Sequence, residues 1–322
     1  MKPIGGYFEL EVSKGDHQYH KTPHALKSGR SSLQYILNHL KPDVVYIPYY
    51  TCDALLEPFE ATHISYRFYE INAQLEPATL IDLQPGEYFL YVNYLDLKRD
   101  TVARLTERYK EQLIVDCTQA FFAKGNGVAW FFNSCRKYFG VPDGSYLYPP
   151  EGVRMRPIEM QNEEYLFDHL LKRFNGHPGE GYETFLKNEV LAGNDVSNIS
   201  KLSEYLLSQI DYDNVAATRR NNYQLLHDHF KSVNLFNAAL PADSVPMSYP
   251  LLLDKIFDKQ PLFAESIFIP TFWKDTLYRI DNGFTTEKSL TEYLLPLPVD
   301  HRYNEEDMRR MMHILSETIH QH

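Results

Sequence analysis

An amine, a carboxylate and a phosphate-ready turn stand out in the first half of this 322-residue chain. The amine is Lys137, in Asn133-Ser134-Cys135-Arg136-Lys137-Tyr138-Phe139-Gly140-Val141-Pro142-Asp143-Gly144, directly after an apolar run ending near Phe132. Burial and the adjacent Arg136 would both push its pKa down, favouring the neutral amine that a Schiff base requires. A lysine taken at random is more often a solvated surface charge. The carboxylate is Asp116, which closes the run Leu113-Ile114-Val115 and precedes Cys117-Thr118-Gln119-Ala120. An acid at the carboxyl end of a parallel strand points into the crevice where α/β proteins bind ligands. An N-cap for the following turn would use the same residue.

The turn is Ser28-Gly29-Arg30-Ser31-Ser32-Leu33, ahead of the helix-like run Gln34 to Leu40. A helix N-terminus exposes unpaired N–H groups and a positive dipole end, and small residues let a phosphate approach. Arg30 either adds a charged donor or points to solvent. Read alone, such a turn is more often only a cap. Together the three segments make up the parts that hold pyridoxal phosphate (PLP). These are a lysine for covalent attachment, a carboxylate that keeps the pyridine nitrogen protonated so that the ring acts as an electron sink, and a phosphate cradle.

Positioning these groups falls to alternating strands and helices. Strand-like runs occur at Val44 to Ile47, Ile64 to Phe68, Tyr88 to Val92, Leu113 to Val115 and Val128 to Phe132, with helix-like spacing at Ser31 to Leu40 and Thr101 to Lys110. This is how a parallel sheet with crossover helices reads, and the class is α/β. From about Glu163 the pattern becomes more helical, over Asn198 to Ile210 and Val215 to Phe230. Short strand-like pieces follow at Met247 to Leu253 and Ser266 to Pro270, then a last helix from Glu305 to about Thr318 with Asn304 and Asp307 as its cap. The turn-rich stretch Asn175 to Gly181 reads as a connector. The expected division is a large domain over 1–210 and a small one over 211–322.

Composition narrows the partners. Forty-three acidic residues against 32 basic ones give a net charge of −11, which disfavours nucleic acid and anionic membranes. The 24 tyrosines and 19 phenylalanines are not interleaved with a basic stretch, as a base-stacking platform would require. No apolar run is long enough to span a bilayer, and Met1 to Glu11 lacks a signal-like pattern, so a cytoplasmic protein is expected. Cys52, Cys117 and Cys135 are an odd set without CxxC spacing, read as free thiols. His17, His20 and His24 lack the supporting ligands of a metal site, so no metal is expected. Nucleotide-binding loops and a GxSxG elbow are absent.

In this order and spacing the segments resemble the DegT/StrS-type sugar aminotransferases, PLP enzymes of the aspartate-aminotransferase fold (fold type I), over nearly the whole chain. Asp116-Cys117-Thr118-Gln119 matches that family's Asp-x-Ala-(Gln/His), with Thr118 in place of Ala, and Asp143-Gly144 matches the acid and glycine that follow its lysine. Ile47 to Cys52, Arg219 to Tyr223 and Leu297 to Tyr303 extend the match. The resemblance implies a three-layer fold with a mostly parallel central sheet and a smaller C-terminal α+β domain. It implies PLP bound to Lys137, Asp116 at the pyridine nitrogen, Gln119 near the phenolic oxygen, and Gly29, Arg30 and Ser31 at the phosphate. Lys137 would also shuttle the substrate proton.

Two positions depart from that pattern. Where many relatives place a phosphate-binding hydroxyl residue this chain has Phe132, with Ser134 the nearest hydroxyl in another register. Cys52 stands where a ring-stacking aromatic is common, leaving Tyr50 or Tyr94 to stack instead. The resemblance further implies a homodimer with shared sites, moving an amino group from a donor such as glutamate to a keto-sugar carried as a nucleotide sugar. Two rivals remain. One is a PLP-dependent sugar dehydratase, against which Lys137 weighs because such relatives usually lack the lysine. The other is a non-catalytic PLP-fold regulator or scaffold.

Overall fold

Short apolar runs between turn signals assemble into a seven-stranded sheet. The computed structural model describes residues 6–8, 10–163, 166–193, 195–281 and 283–320. The sheet contains β1 (His24–Leu26), β2 (Val44–Pro48), β3 (Ser65–Tyr69), β4 (Glu87–Val92), β5 (Leu113–Cys117), β6 (Trp130–Asn133) and β7 (Ser145–Tyr148). Their spatial order is β1-β7-β6-β5-β4-β2-β3. Strands β3, β2, β4, β5 and β6 pair in parallel, whereas β7 is antiparallel to both its neighbours and so runs against the other six. Every residue of β5 and β6 is buried, as expected of parallel strands covered on both faces.

The helices are α1 (Gly29–Leu40), α2 (Glu57–Thr62), α3 (Arg99–Tyr109), α4 (Asp168–Phe174), α5 (Pro178–Leu191) and α6 (Lys201–Leu207). They continue as α7 (Tyr212–Phe230), α8 (Gln260–Ala264), α9 (Asp275–Tyr278), α10 (Thr285–Tyr293) and α11 (Glu305–His320). A second, antiparallel sheet pairs β8 (Ser248–Leu252) with β9 (Leu294–Pro298), and α7 packs on both β8 and α11. One apolar core runs from β2, β4 and β5 through Tyr223 of α7 to Leu251, Leu297 and Leu315. Among the described residues no helix is long and apolar enough to cross a membrane.

Several boundaries follow local chemistry. Ser28 caps α1 by accepting the Ser31 N–H at 3.1 Å, and Lys41 ends the helix in the left-handed region at φ 48°. Asn304 and Asp307 exchange side-chain to backbone bonds at 3.1 and 3.0 Å ahead of α11, the reciprocal cap expected from their spacing. Several elements differ from the sequence expectation, among them the helices α2, α4, α5, α8, α9 and α10, which it did not place. Strands β1, β7 and β9 were not anticipated, and Ser266 to Pro270 is irregular rather than a strand. The turn after Asn175 ends at His177, where Pro178 opens α5, a position that suits proline because its missing N–H has no helical partner. His20 sits in the core, bonded to Tyr148 Oη and the Phe121 carbonyl at 2.8 Å each, and burial pushes its pKa down to about 3.

Register aligns the strand ends that build the site. Val92 pairs with Asp116 and Asp116 with Phe132, while the Asn93 N–H donates to the Asp116 carbonyl at 2.9 Å. The chain segments after β2, β4, β5 and β6 therefore leave the sheet at the same edge, at the carboxyl ends where α/β proteins bind ligands.

Candidate active site

Asp116 ends the buried core of β5 with its side chain 4 % exposed. Burial pushes its carboxyl up to about 6, opposed by the Thr118 N–H, which donates to Oδ1 at 2.7 Å, and by the charge of Lys137. A carboxyl in this environment gains from a positive partner, because pairing removes the cost of holding an isolated charge away from water.

The lysine lies on a single 3₁₀ turn, Cys135–Lys137, entered through the half-buried Ser134. That turn is tied down by the Asp143-Gly144 pair. The Cys135 N–H donates to the Gly144 carbonyl at 2.9 Å, and the Gly144 N–H donates to the Lys27 carbonyl at 2.7 Å, next to the start of α1. Asp143 accepts from the Ser200 N–H and from Asn162 Nδ2 at 2.9 Å each. On the other side, the buried Arg219 of α7 stacks over the Tyr138 ring at 4.4 Å and donates to the Pro246 carbonyl at 3.2 Å. The acid-glycine spacing and the Arg219 segment thus act as buttresses for the lysine turn.

Two expectations about Lys137 need correction. It is exposed on the single chain rather than desolvated, because a 3₁₀ turn at the sheet edge leaves its side chain uncovered. Arg136 forms an ion pair with Glu189 at 2.5 Å, so its charge is balanced by a carboxylate rather than left facing the lysine.

The turn at α1 does meet the other two segments. A methyl group on Gly29 would lie 3.0 Å from Thr118 Cγ2 and 3.4 Å from the Asn133 carbonyl, so the helix N-terminus packs against the chain leaving β5 and the end of β6. Its side chains, however, have other partners. Arg30 makes a two-pronged pair with Glu57 at 2.8 and 3.1 Å and reaches the Glu189 carbonyl at 3.4 Å. The Ser31 hydroxyl donates to the Asp195 carbonyl at 2.7 Å. With the Ser31 N–H taken by the Ser28 cap, what remains for an anion is the backbone at Gly29 and Arg30 and the helix dipole.

Gln119 is buried, and its Oε1 accepts the Leu95 N–H at 3.1 Å, supporting a turn in which Leu95 and Asp96 both adopt positive φ. Tyr94 and Tyr50 are buried side by side, ring centres 6.0 Å apart, and the Tyr94 hydroxyl donates to the Tyr50 carbonyl at 3.0 Å. Tyr50 itself is 1 % exposed and its hydroxyl has no partner among the described residues. Cys52 lies within electrostatic reach of Lys137, Asp116 and Asp275, and burial pushes its thiol up.

Sequence reasoning overlooked Glu189, Trp273 and Arg279. Burial raises the pKa of Glu189, but the charges of Arg136, Lys137 and Arg30 outweigh this and hold it below the usual carboxylate range. None of the three belongs to a local motif: Glu189 meets Arg30, Arg279 meets Asp53 and Trp273 meets Tyr50, each across more than a hundred residues of chain.

No protein-family model matches the chain, and no curated protein does. Solved structures do. A DegT DnrJ EryC1 StrS aminotransferase from Brucella abortus aligns over 91 % of this chain and 84 % of its own, at 16 % identity and a TM-score of 0.60. The aminotransferase TlmJ from Streptoalloteichus hindustanus aligns over 92 % and 85 %, at 13 % identity and a TM-score of 0.65. The PLP form of Spr1654 from Streptococcus pneumoniae aligns over 92 % and 86 %, at 12 % identity and a TM-score of 0.60. The sheet order, the single reversed strand and these alignments establish that the chain has the fold of the DegT/StrS-type aminotransferases.

Proposed function

We propose that this chain is a PLP-dependent aminotransferase acting on a keto-sugar. The observation that carries the reading is the convergence of a buried carboxyl near the end of β5, a lysine on the next strand's exit turn, and a helix N-terminus packed against the chain leaving β5 and the end of β6. The donor set fits the cofactor. At Asp116 burial outweighs the help from the Thr118 N–H and the charge of Lys137, and a pyridinium nitrogen would add the missing compensation. The backbone N–H groups of Gly29 and Arg30, ahead of the Ser31 N–H that Ser28 caps, suit a phosphate. PLP, when bound, supplies an electron sink for the bond pair left at a substrate carbon when its proton departs.

The chain's own residues do the rest. Lys137 Nζ would hold the cofactor and, as the free amine, would move a proton to and from the substrate carbon. Asp116 would pair with the ring nitrogen and favour its protonated form. Gln119, whose Oε1 accepts the Leu95 N–H, would lie toward the cofactor's phenolic side. With Arg30 paired to Glu57, backbone and dipole rather than a guanidinium fork would hold the phosphate. The exposure of Lys137 on one chain supports a second copy completing the site, and we read the protein as a homodimer with glutamate as donor and a nucleotide sugar as acceptor. The division near residue 210 and a cytoplasmic location belong to the same reading.

The test is spectroscopic. Purified protein mixed with PLP should gain the visible absorbance of a lysine-bound cofactor, Lys137→Ala should not, and glutamate should bleach the wild-type band. A protein that remains colourless with excess PLP contradicts the reading. A coloured protein that ignores glutamate but dehydrates a keto-sugar points to the dehydratase.

A further inference from the structure

Arg279, at the end of α9, grips the segment that follows β2. Its Nη1 donates to the Tyr49 carbonyl at 2.5 Å, Nη2 to the Thr51 carbonyl at 2.8 Å and to Asp53 Oδ1 at 2.6 Å, and Nε to the same Oδ1 at 3.0 Å. The guanidinium lies over the Tyr49 and Phe68 rings at 5.3 and 5.2 Å and is only 11 % exposed. Neighbouring residues reinforce it. Asp275 accepts the Asp53 N–H at 3.0 Å, the Tyr49 hydroxyl donates to the Thr276 carbonyl at 3.2 Å, and Trp273 stands edge-on to Tyr50 at 4.4 Å.

Residues on both sides of Cys52 are thereby fixed, at the Thr51 carbonyl and the Asp53 N–H and carboxylate. The segment leaves β2 at the same sheet edge at which the chain leaves β5 after Asp116 and β6 before Lys137, and Cys52 within it lies within electrostatic reach of both. Resting on the cofactor reading above, we propose that Arg279 is a positioning residue: it holds residues 49–53 so that Cys52 walls the space between Lys137 and Asp116. Arginine suits the task because three acceptors in different directions meet one planar fork of donors, which an ammonium cannot match.

The experiment compares wild type, Arg279→Lys, Arg279→Ala and Asp53→Asn as full-length proteins titrated with PLP. The readouts are the dissociation constant, the visible absorbance maximum and the pH midpoint of that band, with thermal melts as the folding control. Arg279→Ala should weaken PLP binding about tenfold or more and shift the band's pH midpoint. Arg279→Lys should fall between it and wild type, and Asp53→Asn, which retains both carbonyl contacts but loses the charged partner, should fall between Arg279→Lys and wild type. Should Arg279→Ala fail to fold, Arg279→Lys decides. Lowered melts with an unchanged dissociation constant and spectrum would show a simple staple and overturn the proposal. A wild type that never binds PLP overturns the cofactor reading, and this proposal with it, and is distinguished by the missing band in every variant.

Discussion

A methyl group on Gly144 would lie 2.8 Å from Cys135 Sγ, so the turn that carries Lys137 closes against a residue with no side chain. Gly144 also holds φ at +130°, outside the range that other residues adopt readily. Sterics and backbone strain therefore combine at a position whose carbonyl anchors Cys135.

Gly144→Ala is expected to destabilise the chain by about 2 kcal/mol or more, since the neighbouring sulfur is buried and the backbone cannot relax. It should also weaken cofactor attachment by shifting the Lys137 turn. Thermal unfolding and PLP titration on the same preparation measure both effects.

Asp116 gives a pH-dependent stability effect of defined sign. Its folded pKa is raised to about 6 by burial, so the cofactor-free folded chain binds a proton that the unfolded chain releases at lower pH. That contribution is favourable at pH 4 and is lost as pH rises through 6. Asp116→Asn should consequently stabilise the cofactor-free protein at pH 7 by about 1–3 kcal/mol and leave it little changed at pH 4, while removing activity. Denaturant titrations at the two pH values check this.

Glu189 sits among Arg136, Lys137 and Arg30, and their charges keep it ionised below the usual carboxylate range. Glu189→Gln should raise the affinity for PLP and for inorganic phosphate by about threefold to tenfold, because it removes a negative charge near the phosphate position. The ion pair's stabilising effect is present above the ordinary glutamate pKa and is lost as pH falls through the lowered value. The variant should thus melt lower than wild type at pH 7, with the gap closing in acid. Calorimetric titration and melts at both pH values are the checks.

Much of the central sheet was legible because buried parallel strands read as uninterrupted apolar runs, as Leu113-Ile114-Val115 does. Strands β1 and β7 are three and four residues long and carry no periodicity of their own. Strand β9 follows α10 without a turn signal, at the junction of Tyr293 and Leu294. At the site, Asp116, Gly29 and Lys137 were legible as residue types at strand and helix ends. The partners that divert Arg30 and Ser31, and the clamp from Arg279, come from remote segments whose side chains meet only after folding.

The central claim is that Lys137 carries the cofactor, and reduction with borohydride tests it most directly. Protein incubated with PLP, reduced, digested and mapped by mass spectrometry should carry the phosphopyridoxyl group on Lys137. A label confined to another lysine, such as Lys27 beside the same turn, or no label at all, would contradict the account.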